Sequence, residues 1–315
     1  AILFLATITS LSACSFPEID TSTTPTEADS NPVPTLSLET STISGDKDAA
    51  TSNGVDTVVV TIQLNDESGA PIDAGEAQVN LSTPTYGRLT PLTYQANGEF
   101  TATYTPLGPP GTTTLTPTLN GEPFPQSLEI TRNSDNGFYL ANNAVTVKCG
   151  DADYEDTGTI NGIEYTKRDR SQIDGLYEQG SGSSGWDALP TTCTSGITDM
   201  SSLFSGIESY VNEFNKDIGT WDTSNVTTME SMFASVVSFS QNIGAWDTRN
   251  VTNMDTMFLT ATAFDQDLSA WEPGCNSPSG PIPNEPTGFR AGSGFADLGQ
   301  KQPKWGVTTC SDATQ

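Results

Sequence analysis

The chain has 315 residues, of which 34% are hydrophobic and 16% charged, and it carries a net charge of −27 with no histidine. Such an excess of carboxylates repels phosphate backbones and anionic lipid surfaces, which excludes nucleic acid as a partner. Without histidine there is no Ser-His-Asp or Cys-His nucleophile pair and no histidine-ligated metal. The five cysteines contain no Cys-x-x-Cys pair and so do not form a zinc ribbon.

Residues 1–10 are a short apolar run leading into Leu11-Ser12-Ala13-Cys14. The run is too short for a membrane-spanning helix and suits the core of a signal peptide. The tetrapeptide resembles the bacterial lipoprotein cleavage box. That resemblance implies a signal segment over 1–14, lipidation of Cys14, and export to the bacterial outer membrane or cell surface, with Ser15 in place of an inner-membrane Asp. The alternative is an ordinary cleaved signal that ends near a cysteine. A starting Met and a charged leader are missing, so the beginning is expected to be trimmed. Residues 15–34 are rich in Ser, Thr and Pro with almost no apolar side chains, the composition of a disordered tether.

Residues 35–131 alternate. Val58–Leu64 and Ala77–Leu81 place apolar residues at every second position, and Asn97-Gly98 and Asn120-Gly121 supply the φ > 0 pairs of tight hairpins. About seven short strands with this punctuation predict an antiparallel sandwich. The order of Asp56–Ile62, Asn65–Pro71, Val79–Leu81 and Asn97–Tyr104 resembles the bacterial immunoglobulin-like domains of the invasin/intimin type. The resemblance implies a spacer in a surface protein, in some cases itself adhesive. The segment contains no cysteine, so no immunoglobulin disulfide can form.

Residues 132–195 carry a strand signal at Phe138–Cys149, a hairpin on Asn161-Gly162 and helical turns near Ser171–Tyr177, and are expected to form the N-terminal cap of a repeat domain. Over 196–272 the chain repeats. Trp221-Asp-Thr-Ser-Asn-Val-Thr-Thr-Met-Glu-Ser-Met-Phe233 returns after 25 residues as Trp246-Asp-Thr-Arg-Asn-Val-Thr-Asn-Met-Asp-Thr-Met-Phe258, and Trp271 opens a third step. A partial copy, Ile197–Phe204, lies four residues out of phase, with the insertion near 208–212. A period in this range is the signature of a solenoid whose units bury their apolar faces only on one another.

Met229, Met232 and Phe233, then Met254, Met257 and Phe258, and Met200, Leu203 and Phe204, fall at i, i+3 and i+4. That spacing predicts a short helix in each unit, opened by boxes at Thr227–Glu230 and Thr252–Asp255. Phe214, Phe239, Phe264, Trp221, Trp246 and Trp271 complete the predicted repeat core, and regularly repeated Met at this spacing is core and not a cofactor box. The frame, from Phe239-Ser-Gln-Asn-Ile-Gly-Ala-Trp246 to Met257-Phe258, resembles the BspA-like surface-protein repeat, a relative of leucine-rich repeats. It implies a multidomain chain: an all-β immunoglobulin-like sandwich, then a short α/β leucine-rich-repeat-like solenoid with disulfide-stapled caps. After Trp271 the period stops, so 273–315 is expected to be a C-terminal cap without a further stackable face.

With Cys14 assigned to lipid, four cysteines remain and three pairings are open. Cys149 with Cys193 and Cys275 with Cys310 is the choice that staples one cap each. The acidic run Asp151–Asp156 lacks the glycine and closing glutamate of a calcium loop and reads as a solvated turn. Asp217 and Asp222 could be drawn as a glycosidase pair, but they recur as Asp267 and Asp247 and so belong to the repeat. The basic cluster Lys167–Arg170 reads as an edge-strand charge device. No catalytic, cofactor-binding or metal-binding residue is assigned. Positions that vary between copies, Ser224 against Arg249 and Ser240 against Asp265, are where recognition is expected. The sequence therefore reads as a non-catalytic, lipid-anchored surface protein binding a host or neighbouring-cell protein or glycan. Its rivals are a structural envelope protein and a carbohydrate-acting enzyme.

Overall fold

A computed structural model describes residues 35–73, 77–205, 213–295 and 301–311. The expected lipidation site Cys14, the expected tether 15–34 and the repeat insertion near 208–212 lie outside the described residues. Eleven strands over 36–133 form the first part: β1 Leu36–Gly45, β2 Ala49–Thr51, β3 Val58–Asp66, β4 Val79–Leu81, β5 Arg88–Leu89, β6 Thr93–Tyr94, β7 Glu99–Thr105, β8 Gly111–Leu115, β9 Pro117–Leu119, β10 Glu122–Pro123 and β11 Leu128–Asn133. One sheet runs β1-β3-β7-β5 with β6 also on β7; β2-β11-β8 and β10-β9-β4 are the others. Period-two patterning explains the layering. Val58, Val60, Ile62 and Leu64 are fully buried, and they meet Leu115, Leu128 and Ile130 from one small sheet and Leu119 and Phe124 at the other. The result is the predicted β-sandwich.

The chain leaves β11 directly into a second small core. There Leu107, from a sandwich loop, packs with Phe138, Leu140, Ile160, Tyr165 and the cystine of Cys149 and Cys193. Backbone bonds tie the two parts: Leu140 N to Ser52 O (2.7 Å), Asn161 N to Asn53 O (2.8 Å) and Gly108 N to Leu140 O (2.7 Å). Strands β12 Tyr139–Leu140 and β13 Val147–Lys148 pair, and β14 Thr157–Ile160, β15 Ile163–Lys167 and β16 Thr192–Cys193 form a sheet with β15 central. Asp169 and Gln172 make a capping box on α1, Arg170–Tyr177, which is followed by α2, Ser184–Ala188.

The 25-residue units stack, but the described residues of 196–272 contain no α-helix. This corrects the α/β expectation. Thr228 forms parallel bridges with Asp199 on one side and Asn253 on the other, and successive amides bond to the next unit: Met229 N to Asn253 O, Ser231 N to Asp255 O, Phe233 N to Met257 O. Those amides are therefore not available for i−4 carbonyls, and Ser231 (φ 56°) and Ser235 (φ 64°) reverse the backbone where a helix would continue. The Thr227 hydroxyl likewise donates to Thr198 O in the neighbouring unit and caps no helix. The i, i+3, i+4 spacing instead winds through consecutive turns that face the same interior.

Inside, Met200, Leu203, Phe204, Phe214, Trp221, Met229, Met232, Phe233, Phe239, Trp246, Met254, Met257, Phe258, Phe264 and Trp271 are all buried in one core. Equivalent rings stack across units: Phe204–Phe233 and Phe233–Phe258 at 5.5 Å, Phe239–Phe264 at 5.9 Å, Trp221–Trp246 at 6.5 Å and Trp246–Trp271 at 6.3 Å. Each tryptophan Nε1 donates to a carbonyl of the preceding unit or cap: Leu189, Ile218 and Ile243.

The C-terminal segment also departs from expectation. Thr256, Phe258 and Thr260 amides bond to the carbonyls of Thr287, Phe289 and Ala291, and Phe289 and Phe295 lie 5.4 and 5.9 Å from Phe258 and Phe264. A further, irregular unit therefore stacks on the third. Its signal in the sequence was Phe289…Phe295, spaced as Phe233…Phe239 and Phe258…Phe264 are. In this unit Gly288 and Gly292 have positive φ, where the unit before it holds Thr256 (φ 54°) and Thr260 (φ 57°). A β-branched residue is strained there, so the exposed Thr260→Asn is expected to stabilise the stack by about 0.5–1 kcal/mol, read as a raised thermal midpoint.

Cys149 pairs with Cys193 and Cys275 with Cys310. The first two are fully buried, whereas Cys275 and Cys310 are only partly covered. Under native conditions with mild reductant, a maleimide should therefore label Cys275 and Cys310 well before Cys149 and Cys193. Peptide mapping by mass spectrometry checks this; equal labelling would contradict it.

Candidate functional site

The repeat spends most of its polar residues on itself. The acid that follows each tryptophan, Asp222, Asp247 and Glu272, is buried, and the three obtain cations from different places. Lys148 Nζ from β13 sits 2.8 Å from Asp222, Arg249 of the same unit clasps Asp247, and Lys304 from the C-terminal segment lies 2.9 Å from Glu272. Burial pushes the Asp222 carboxyl up. The Lys148 ammonium and the Ser195 and Ser224 hydroxyls outweigh it and hold the group below the usual carboxylate range. Asp217 is exposed and its carboxylate accepts from Gly219 N, an Asx turn. The Asp217/Asp222 pairing drawn from sequence thus has both members engaged structurally, Asp217 in its own turn and Asp222 by Lys148 and Ser195 of the cap.

The variable positions are also turned to structural use. Ser224 donates to Asp222, Arg249 to Asp247, Ser240 accepts from Gln266, and Asp265 meets Lys301. The basic cluster is not an edge device, because β15 is the centre of its sheet. Lys167 is buried with its Nζ on the carbonyls of Gly150 (3.2 Å) and Ala152 (2.7 Å), and Arg168 donates to the Thr192 hydroxyl. In the acidic run, the Asp156 carboxylate accepts from Asp153 N, closing a turn.

The scaffold leaves clefts open beside the first unit and, at 252–255 and 282–287, beside the third. Two clefts, of about 430 and 500 Å³, share Tyr154 and Gly196 as walls. One is bounded by Tyr139, Lys148 and Asn225; the other by Arg170, Asp199 and Ser201. Tyr154 is 53% exposed, and the Lys167 ammonium lies 5.3 Å from its ring centroid. Arg170 is held by Asp174 (2.9 Å) and the Asp199 carbonyl (3.1 Å). The Ser201 hydroxyl and amide keep Asp199 below the usual carboxylate range. Burial, with the Asp222 and Asp151 carboxylates, raises the Tyr139 phenol. None of these groove residues was singled out by sequence reasoning as a recognition position: Tyr139, Lys148, Tyr154 and Arg170 come from the cap, which has no repeat to mark them, and Gly196, Asp199, Ser201 and Asn225 fall at repeat positions with nothing in the pattern to set them apart.

Residues 37–135 match the family described as invasin, domain 3, and residues 180–276 the family described as Mycoplasma protein of unknown function. No curated protein matches the chain. Among solved structures, the Yersinia pseudotuberculosis adhesin InvE is 32% identical over 32% of this chain and 28% of its own, with a TM-score of 0.29. Invasin, a bacterial integrin-binding protein, is 24% identical over 33% of this chain and 21% of its own, at 0.29. The Escherichia coli adhesin FdeC is 23% identical over 34% of each chain, at 0.28. The chain thus spans about a third or less of each of these proteins. Its sandwich segment is similar to invasin domain 3, and its repeat segment to the Mycoplasma family.

Proposed function

We propose that this chain is a non-catalytic surface protein of the adhesion type. In this reading Cys14 carries a lipid anchor at the bacterial outer membrane, 15–34 is a tether, and the immunoglobulin-like domain 35–131 is a spacer. A leucine-rich-repeat-like solenoid over 196–272, capped by 132–195 and 273–315, is presented outward to a host or neighbouring-cell protein or glycan. The observation that carries it is the match of residues 37–135 to invasin domain 3. The backbone bonds between the sandwich loops and residues 140 and 161 support it, because they suit a stiff arm that holds the repeats at a distance.

The test is saturable binding of the full chain to intact host cells, extracellular-matrix proteins and a glycan array. Saturable binding to any of them is the expected result. Binding to none favours a structural envelope role, and turnover of a polysaccharide would show an enzyme instead.

A further inference from the structure

We propose that the groove walled by Tyr154 and Gly196 is a binding site for an uncharged oligosaccharide, an inference that rests on the adhesion-type reading and names its ligand class. Two departures from the repeat and one open cap position meet at this place. Asn250 donates its side-chain amide to Ser224 O, whereas Asn225, its equivalent one unit earlier, makes no side-chain hydrogen bond among the described residues. It is exposed at the groove wall with a donor and an acceptor both available. The next equivalent position upstream is Gly196, where a built Cβ would meet nothing within 4 Å. Its φ of +94° requires glycine, and no side chain narrows the opening at this position. Gly150, from the cap, faces open space in the same way.

The chemistry of the walls selects the ligand. Tyr154 offers an exposed aromatic surface oriented by the Lys167 ammonium, which suits the apolar C–H face of a pyranose ring. The cations at the walls already have partners: Lys148 has Asp222, and Arg170 has Asp174 and the Asp199 carbonyl. An ionic ligand would have to break such a pair. A sugar hydroxyl, donor and acceptor at once, can bridge its members, and Lys148, with bonds to Asp222 and Ser224, keeps a third N–H. A few convergent polar groups around one aromatic platform is the composition of a small-ligand site.

The test measures the full chain on immobilised uncharged and sialylated oligosaccharides, with Tyr154→Ala, Asn225→Ala and Gly150→Trp as variants. Expected is binding to an uncharged oligosaccharide that survives raised salt and weakens by about tenfold or more in Tyr154→Ala and Gly150→Trp. Thermal midpoints of the variants should match the parent, since the altered side chains are exposed. The groove assignment is overturned if variants with unchanged midpoints bind as the parent does, or if binding is confined to sialylated probes and lost in salt. Saturable attachment of the parent to host cells or matrix protein, with no oligosaccharide bound, would overturn the groove while leaving the adhesion reading standing. Absence of both would remove the two together.

Discussion

Trp246→Ala is expected to destabilise the repeat stack by about 3–5 kcal/mol, the usual cost of truncating a fully buried tryptophan. Trp246 is 1% exposed and lies between Trp221 and Trp271, with Phe233 at 6.2 Å. Its removal empties the middle of the indole column and takes one of two donors from the Ile218 carbonyl, which keeps only the Trp221 amide. In a quasi-one-dimensional stack each unit is held by its neighbours, so a hole in the middle weakens two interfaces at once. Trp271, with one indole neighbour, gives the comparison: Trp271→Ala should cost less. Urea denaturation followed by circular dichroism measures both. A Trp246→Ala loss below that of Trp271→Ala would refute the column as the mainstay of the stack.

That column was readable from the sequence because its members recur at a fixed step and are chemically conspicuous. The same pattern misled about local structure. Met229, Met232 and Phe233 share a side whether the backbone makes a helix or successive turns, and apolar spacing does not report where the amides go. In this fold they go to the next unit, which only the three-dimensional neighbour reveals. Phe289 and Phe295 were overlooked because their unit has lost its methionines and its Trp-Asp-Thr opening while keeping its backbone bonds. The four cysteines other than Cys14 left three pairings open, since sequence holds no distance. The groove was invisible for a related reason: Tyr154 and Gly150 come from loops without period, and Lys148 reaches Asp222 across 74 residues. The information lies in how the cap departs from the repeat, and that departure is evident only once the two are superposed in space.

Lys148→Met should cost about 3–5 kcal/mol at neutral pH, because it leaves the Asp222 carboxylate buried without its cation. The pH dependence gives the sharper test. In the parent, Asp222 titrates below its ordinary value of 3.8, so its stabilising contribution is complete above that value and is lost as pH falls through the lower, folded one. Without the ammonium, burial is the leading influence and lifts the carboxyl above its ordinary value. The folded variant then takes up a proton at a pH where the unfolded chain is still ionised, and it gains stability as pH falls from neutral toward that ordinary value. Urea midpoints of parent and variant should therefore converge between neutral pH and about pH 4. A gap that stays constant over this range would mean that Lys148 acts through packing of its stem. Adding Asp222→Asn to Lys148→Met should recover most of the loss at neutral pH, because the unpaired charge is gone while the amide oxygen can accept from one of Ser195 and Ser224 and the amide N–H can donate to the other hydroxyl. The outcome also bears on assembly: each buried acid of the stack needs a cation, and Asp222 draws its own from β13 of the cap. The cap is thus an electrostatic partner of the first tryptophan unit as well as a cover for its apolar end.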